Sequence, residues 1–491
     1  MGKVHRLVLT AILAGPGCLL CPPAASAQIV EKVADLNIAG GGPGGPLDRF
    51  TQVGTNLWFT TAKGGIFDPR GTVSRYDLVT HEVTVVASLG NEQGSSPESS
   101  LLVIENEGYF TTKSGGTGNA GTIAKINLIN GVVTVLYNFP ENSPENRANG
   151  MQTGSTSRSG LTRIGDELWA TTSLGGTSNR GTIVKYDLTS GVTTLVTNLD
   201  GPMLGGQAFD GFTAAGTNGW YFTTFSGGST FATPGLPLGA GTLGRLTFDE
   251  AGHAVISRLV DLPDGYTQFP GLSPTWVGDN SLYFATTGPN DAPGAIIRYD
   301  LDTGTWTNLF SFPQATALEI GSRPGYSGLT EFRGDLYFIN RQGGTNASSP
   351  TATAGTVMKY NIASNTVTKL ADLGGPVGPQ SLGSASGFFG SGTLVEENGR
   401  HYIYYPLTAG GAYNNGTIIR IDLAAFRVKI TPEPGQQIRL SWDGGYPPFT
   451  VQQRTHPVEG DWENVAQGLM DRFLVLPATN AAAYYQVIGQ P

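Results

Sequence analysis

Residues 168–188 read LWATTSLGGTSNRGTIVKYDL. An aromatic, apolar run ends in paired threonines. After a Gly-Gly pair and a polar spacer, Gly181-Thr182 opens a segment in which Ile183, Lys185 and Asp187 alternate with Val184, Tyr186 and Leu188. A period of two fits that alternation and a period of 3.6 does not, so the stretch predicts paired strands and not a helix. The same pattern returns at residues 57–78 (LWFTTAKGGIFDPRGTVSRYDL) and 109–128 (YFTTKSGGTGNAGTIAKINL). It recurs in looser form at 220–248, 282–301, 336–362 and 401–423. The glycine opening the second strand is Gly71, Gly121, Gly181, Gly241, Gly294, Gly355 and Gly416 in turn, at intervals of 50 to 61 residues. Such regularity marks an internal repeat, and it outranks any local reading of the chain.

Each copy is followed by a Val/Thr-rich strand such as GVTTLVTNL and preceded by a short one such as GLTRIG or GLTEFR. Four short strands repeated seven times predict an all-β chain whose residues 28–430 form a seven-bladed β-propeller. A linear solenoid would need capping elements at its ends, and none is evident. The N-terminal segment IVEKVADLNIAGG resembles the sixth copy's last strand, TVTKLADLGG, so residues 29–36 are expected to complete the seventh blade. The segment FRVKI, at 426–430, is the alternative for that outer position. From the TPEPG boundary onward, residues 431–491 change character to QIRLSW, FTVQQR, WENVAQ, RFLVLP and AAYYQVIG. These alternating segments predict a small fibronectin- or immunoglobulin-like β-sandwich, with Trp442 and Trp462 in its core.

The signature appears as Thr60, Thr61, Gly64, Gly65, Gly71, Thr72 and Val73, and again as Thr171, Thr172, Gly175, Gly176, Gly181, Thr182 and Ile183. It resembles the tandem Gly-rich, propeller-like repeats of exported proteins in Verrucomicrobia and Gloeobacter. The resemblance covers most of residues 47–425. It weakens in the fourth copy, with an insertion around Pro234–Pro237, in the fifth at Gly288-Pro289, and in the seventh at Tyr404-Tyr405. It implies repeat architecture and export, and it implies no reaction.

Export also follows from the N-terminus. Lys3 and Arg6 precede an apolar run from Leu7 to Leu20, and Ala25-Ser26-Ala27 precedes Gln28, so residues 1–27 are expected to be a secretory signal. Both cysteines, Cys18 and Cys21, fall within it, leaving the mature chain without thiols. No later stretch approaches the length of a membrane span. A secreted or cell-surface bacterial protein, monomeric, is the expectation. The formal charge of −9, with no Lys/Arg cluster, disfavours a nucleic-acid partner. Five scattered histidines suggest no metal centre, although oxygen ligation of Ca²⁺ stays open.

The glycine elements resemble phosphate cradles only superficially, because none leads into a helix N-terminus. They are read as backbone devices. The series Asp77, Asn127, Asp187, Asp300, Asn361 and Asp422 is read as turn initiators. Functional residues are sought instead in the long links between copies, where Asp210, Tyr266, Glu319, Arg323, Tyr326 and Phe388 combine acids, aromatic rings and a cation. Such a set suits a glycan, with rings for stacking and acids for hydroxyls; a surface protein is the other candidate partner. The leading expectation is a binding module. The alternative is a polysaccharide hydrolase using Asp210 with Glu319, or a lyase drawing on Tyr266, Tyr326, Arg323 and Arg147. With a pI near 5.1, a neutral polymer is preferred to an acidic one.

Overall fold

The computed structural model describes residues 6–9, 30–67, 69–216, 219–229, 238–262, 272–288, 292–386, 390–423, 427–443, 446–455, 461–477 and 484–490. The chain divides into two compact parts, Lys32–Thr393 with Tyr405–Ile419, and Met1–Glu31 with Leu394–Tyr404 and Arg420–Pro491. It is all-β. Among the described residues the only α-helices are the short Pro144–Ala148 and Ala317–Ile320, and no helix is long and apolar enough to cross a membrane.

Seven four-stranded sheets account for the repeat. The first is built from Thr51–Val53, Asn56–Thr61, Thr72–Asp77 and Val83–Ser88 in spatial order. The lead strands of the others begin at Leu102, Thr162, Thr213, Thr275, Thr330 and Thr393. In the seventh sheet the outer strand is Val30–Asp35, beside Thr417–Asp422. The competing segment does something else: Arg427–Glu433 pairs with Gln437–Asp443.

Sheets pack face to face. Trp58 and Val73 of the first meet Phe110 and Ile126 of the second; Trp169 and Ile183 of the third meet Phe222 and Leu246 of the fourth. Because both faces of the middle strands are covered, Asn56–Thr61 is buried at five consecutive positions despite lying in a hairpin.

The paired threonines divide their labour. The first donates to a backbone carbonyl of the next sheet's link: Thr60 to Ser99 at 2.7 Å, Thr111 to Ser159 at 2.9 Å, Thr171 to Asp210 at 2.8 Å and Thr223 to Leu272 at 2.7 Å. The second pairs with the Gly-Thr hydroxyl of its own sheet, as in Thr172 with Thr182 at 2.9 Å. Where the sixth copy has Asn340 instead, its amide takes over that contact to Thr356, at 3.2 Å.

The lead strands carry a second series. Thr51 donates its hydroxyl to Leu101 O, Thr162 to Phe212 O, Thr213 to Pro274 O, Thr275 to Leu329 O, Thr330 to Gly392 O, and Thr393 to Phe50 O. Each carbonyl accepts from the sheet before it, and the last bond returns to the first sheet; only Leu102 interrupts the sequence. Replacing Thr213 by the near-isosteric Val leaves the Pro274 carbonyl without its 2.6 Å donor. A loss of about 1–2 kcal/mol is expected in denaturant unfolding of residues 28–491, with Thr213→Ser close to wild type. Equal midpoints for all three proteins would remove this bond from the account of stability.

The turn residues behave as short polar acceptors. Asp187 Oδ1 accepts from Thr189 N at 2.9 Å and Ser190 N at 2.6 Å, and these bonds hold its carboxyl below the usual range.

In the other part, Arg427–Glu433, Gln437–Asp443 and Phe473–Pro477 form a three-stranded sheet. Tyr446–Arg454, Glu463–Leu469 and Tyr484–Gln490 form another, with Arg6–Leu9 along its edge. Leu440 and Trp442 from the first share a core with Phe449, Val451, Tyr485 and Val487 from the second.

Candidate functional site

Aligning the seven copies on the lead-strand threonine exposes the position three residues earlier. It holds Asp48, Ser99, Ser159, Asp210, Leu272, Ser327 and Gly390. Where it is serine, the hydroxyl accepts a backbone N–H of its own sheet: Ser99 from Thr111 at 3.0 Å, Ser159 from Thr171 at 3.3 Å and Ser327 from Ile339 at 3.1 Å.

The two aspartates depart from that role in the same way. Asp48 accepts from Arg49 N at 2.7 Å and, across to the second sheet's link, from Ser100 N at 2.5 Å. Asp210 accepts from Gly211 N at 2.7 Å and, across to the fifth, from Ser273 N at 3.4 Å. Although they come from the first and fourth sheets, both carboxyls converge on Gly160, within 4.0 Å of where a Cβ there would stand. A side chain at residue 160 would fill the space between them.

Asp48 and Asp210 border a cavity of about 380 Å³, in the range of small-molecule sites. Arg49, Ser273, Ser391, Trp276 and Glu331 also line it, on links and lead strands of four different sheets. The Arg49 guanidinium stands 3.5 Å from the Ser391 hydroxyl, and Trp276 is 40% exposed, so its ring is open to a ligand. Among the described residues no three His, Cys, Asp or Glu side chains are grouped for a metal ion.

Burial pushes the Asp48 carboxyl up from 3.8 to about 6; Arg49 opposes the shift and Asp210 adds to it. The folded state therefore binds this proton more tightly than the unfolded chain. The corresponding stability is complete below pH 3.8 and is lost as pH rises through about 6, some ~3 kcal/mol in all. Unfolding of residues 28–491 is expected to require more denaturant at pH 5 than at pH 7.5 by an increment that Asp48→Asn abolishes. An unchanged pH slope in the variant would place the Asp48 carboxyl in an ordinary environment.

The residues singled out in the sequence fall in different places. Asp210 lines the cavity. Glu319 is exposed on Ala317–Ile320 and is absent from the lining; the acidic neighbour of Asp210 is Asp48. Arg323 is half-buried in a left-handed conformation, φ 61°, with its N–H donated to Pro293 O. Tyr326 is flanked by the Phe225 ring, 6.4 Å away and 29° from parallel, and by the Arg341 guanidinium at 4.5 Å. Tyr266 and Phe388 lie outside the described residues.

Residues 39–233 match the family model described as Gloeobacter/Verrucomicrobia repeat. The match covers less than half of the chain and includes the first three copies. No curated protein matches. Among solved structures, the chain is similar to an oligogalacturonate lyase from Vibrio parahaemolyticus, at 10% identity and TM-score 0.48, over 86% of this chain and 99% of that one. It is also similar to a puromycin hydrolase, at 13% identity and TM-score 0.46, over 84% and 60%. TolB from Acinetobacter baumannii follows at 11% identity and TM-score 0.31, over 76% and 78%.

Proposed function

We propose that the mature chain, residues 28–491, is an exported, monomeric seven-bladed β-propeller that binds an extracellular glycan in the cavity bordered by Asp48 and Asp210. A fibronectin- or immunoglobulin-like module follows it at residues 431–491. The leader-like N-terminus supports export, and the hydroxyl series returning from Thr393 to Phe50 supports closure of the seven sheets into one ring. Cleavage before Gln28 would take away the edge strand Arg6–Leu9 and spare Val30–Asp35.

One observation carries the glycan reading: three carboxyls, Asp48, Asp210 and Glu331, the Arg49 cation, the Ser273 and Ser391 hydroxyls and the Trp276 ring border a single cavity. Acids and hydroxyls satisfy sugar hydroxyls, and an aromatic face covers the apolar side of a pyranose. A second reading, glycoside hydrolysis, is favoured by Asp48 itself. A carboxyl that keeps its proton to about pH 6 beside a second carboxyl is the arrangement a general acid requires.

A glycan array probed with residues 28–491, followed by calorimetric titration and chromatography of the hits, separates the two. Binding without new reducing ends, weakened about tenfold or more in Asp210→Asn, supports the binding module. Cleavage establishes the hydrolase, and absence of any binding overturns both.

A further inference from the structure

The residue just before the aspartate position also varies from copy to copy. It is Glu98 in the second, Arg158 in the third, Phe209 in the fourth and Tyr326 in the sixth. Another position, immediately after the paired threonines, holds Lys113, Phe225 and Arg341 in the second, fourth and sixth copies. Unlike the shared threonines and glycines, these two positions change residue type from copy to copy.

They meet one another in an unbroken run. Lys113 Nζ lies 3.1 Å from Glu98, and Glu98 lies 3.1 Å from Arg158 Nε. The Arg158 guanidinium stands 5.5 Å above the Phe209 ring, whose centroid is 5.3 Å from that of Phe225. Phe225 stacks on Tyr326, and Tyr326 carries Arg341. The contact from Phe225 to Tyr326 passes over the whole fifth sheet. Side chains from non-neighbouring sheets touch only where the sheets converge, so the run lies at that convergence; Phe209 immediately precedes Asp210 in the chain, and no member of the run lines the cavity.

The run holds three cations, Lys113, Arg158 and Arg341, and one carboxylate, Glu98. Glu98 is only 7% exposed and is already held by two of them. Arg341 stands on Tyr326, with a buried Nε that has no hydrogen-bond partner among the described residues. With three cations against one carboxylate, the run itself is positive in a chain whose formal charge is −9. Phe209, Phe225 and Tyr326 are half-buried, and their remaining ring surface faces solvent.

Resting on the glycan reading above, we infer that this run of side chains selects a sugar bearing a carboxylate, a uronate, over a neutral hexose. The rings take the apolar face of the pyranose, and Arg341 and Arg158 take its carboxylate. The local charge thus outweighs the acidic pI that favours a neutral polymer.

The test is calorimetric titration of residues 28–491 with matched pairs of oligosaccharides, oligoglucuronate against oligoglucose of the same linkage and length, in α- and β-1,4 series. The uronate is expected to bind about tenfold or more tightly than its neutral match, with affinity falling as NaCl rises from 50 to 300 mM. Arg341→Gln should remove most of that preference, leave the neutral sugar's affinity in place, and keep the wild-type unfolding midpoint. Equal affinity for both members of a pair overturns the uronate inference while the glycan reading stands. If neither member of any pair binds, the uronate inference falls, and the glycan array decides the glycan reading separately.

Discussion

A chain beginning at residue 38 should not fold stably, and a peptide of residues 28–37 supplied in trans should rescue it. Val30 and Leu36 at the two ends of the lost strand are each 1% exposed. Burying two such side chains stabilises by about 3–6 kcal/mol, a large share of the 5–15 kcal/mol typical of a folded domain. The truncation also removes the Glu31 partner of Arg420 and the acceptor that Asp35 offers to Ala412 N at 2.8 Å. It leaves Leu36's donor position opposite Gly416 O empty, where the intact chain has a 2.9 Å bond. Finally, it bares the edge of Thr417–Asp422, a ready template for aggregation. Expression, light scattering and denaturant unfolding of the truncated chain, with and without peptide, provide the measurement. Wild-type unfolding by the truncated protein alone would mean that the N-terminal strand contributes nothing to the seventh sheet.

That strand was legible because its apolar pattern duplicates an outer strand elsewhere in the chain: IVEKVADL matches TVTKLADL in both period and register. Local features were legible for the same reason. A glycine before Thr at the start of a strand, or an Asx after it, acts within a few residues, and each recurs in six of the seven copies. The lead-strand threonines were not singled out, although GLTRIG and GLTEFR contain two of them. Their partners lie a full repeat away, 50 residues on for Thr51 and Thr162, and no local period signals a bond of that reach.

The site divides along the same line. Asp210 stands in a long polar link and attracted attention there. Asp48 sits in PLDRFT, ahead of the first complete copy, where nothing upstream marks a link. The available signal was the alignment of the repeat with itself, in which Asp48 and Asp210 occupy one column otherwise filled by Ser, Leu and Gly. Glu319 matches Asp210 by chemistry alone, but a short helix, Ala317–Ile320, carries it into solvent. Tyr326 was chosen for its ring, and the Phe225 and Arg341 that give the ring its setting come from a second column, more than a hundred residues apart in the chain. Long-range convergence of this kind is a property of the closed set of sheets and is invisible within any one copy.

Gly181→Ala should be among the most damaging single substitutions in the molecule, costing about 4 kcal/mol. The seven repeat glycines all have positive φ, from 85° at Gly294 to 106° at Gly416, and Gly181 stands at 99°. That is well outside the left-handed well that other residues tolerate at modest cost. Space is the second constraint. A Cβ at residue 181 would fall inside the van der Waals radius of the Thr172 carbonyl oxygen and 3.0 Å from its carbon. Relaxation is blocked, because Gly181 N donates to Gly175 O at 3.1 Å and its own carbonyl accepts from Leu199 N at 2.9 Å. Meanwhile Thr172 is fixed to Thr182 by the paired hydroxyls and by its 2.9 Å backbone bond. Gly165 supplies the control: it also has positive φ, 62°, but nothing lies within 4 Å of its would-be Cβ. Gly165→Ala should therefore cost only about 1–2 kcal/mol. Comparing the two variants by denaturant unfolding measures what the wider φ and the collision together add to ordinary left-handed strain. If both lose the same amount, neither the wider φ nor the close approach to Thr172 is what reserves this position for glycine.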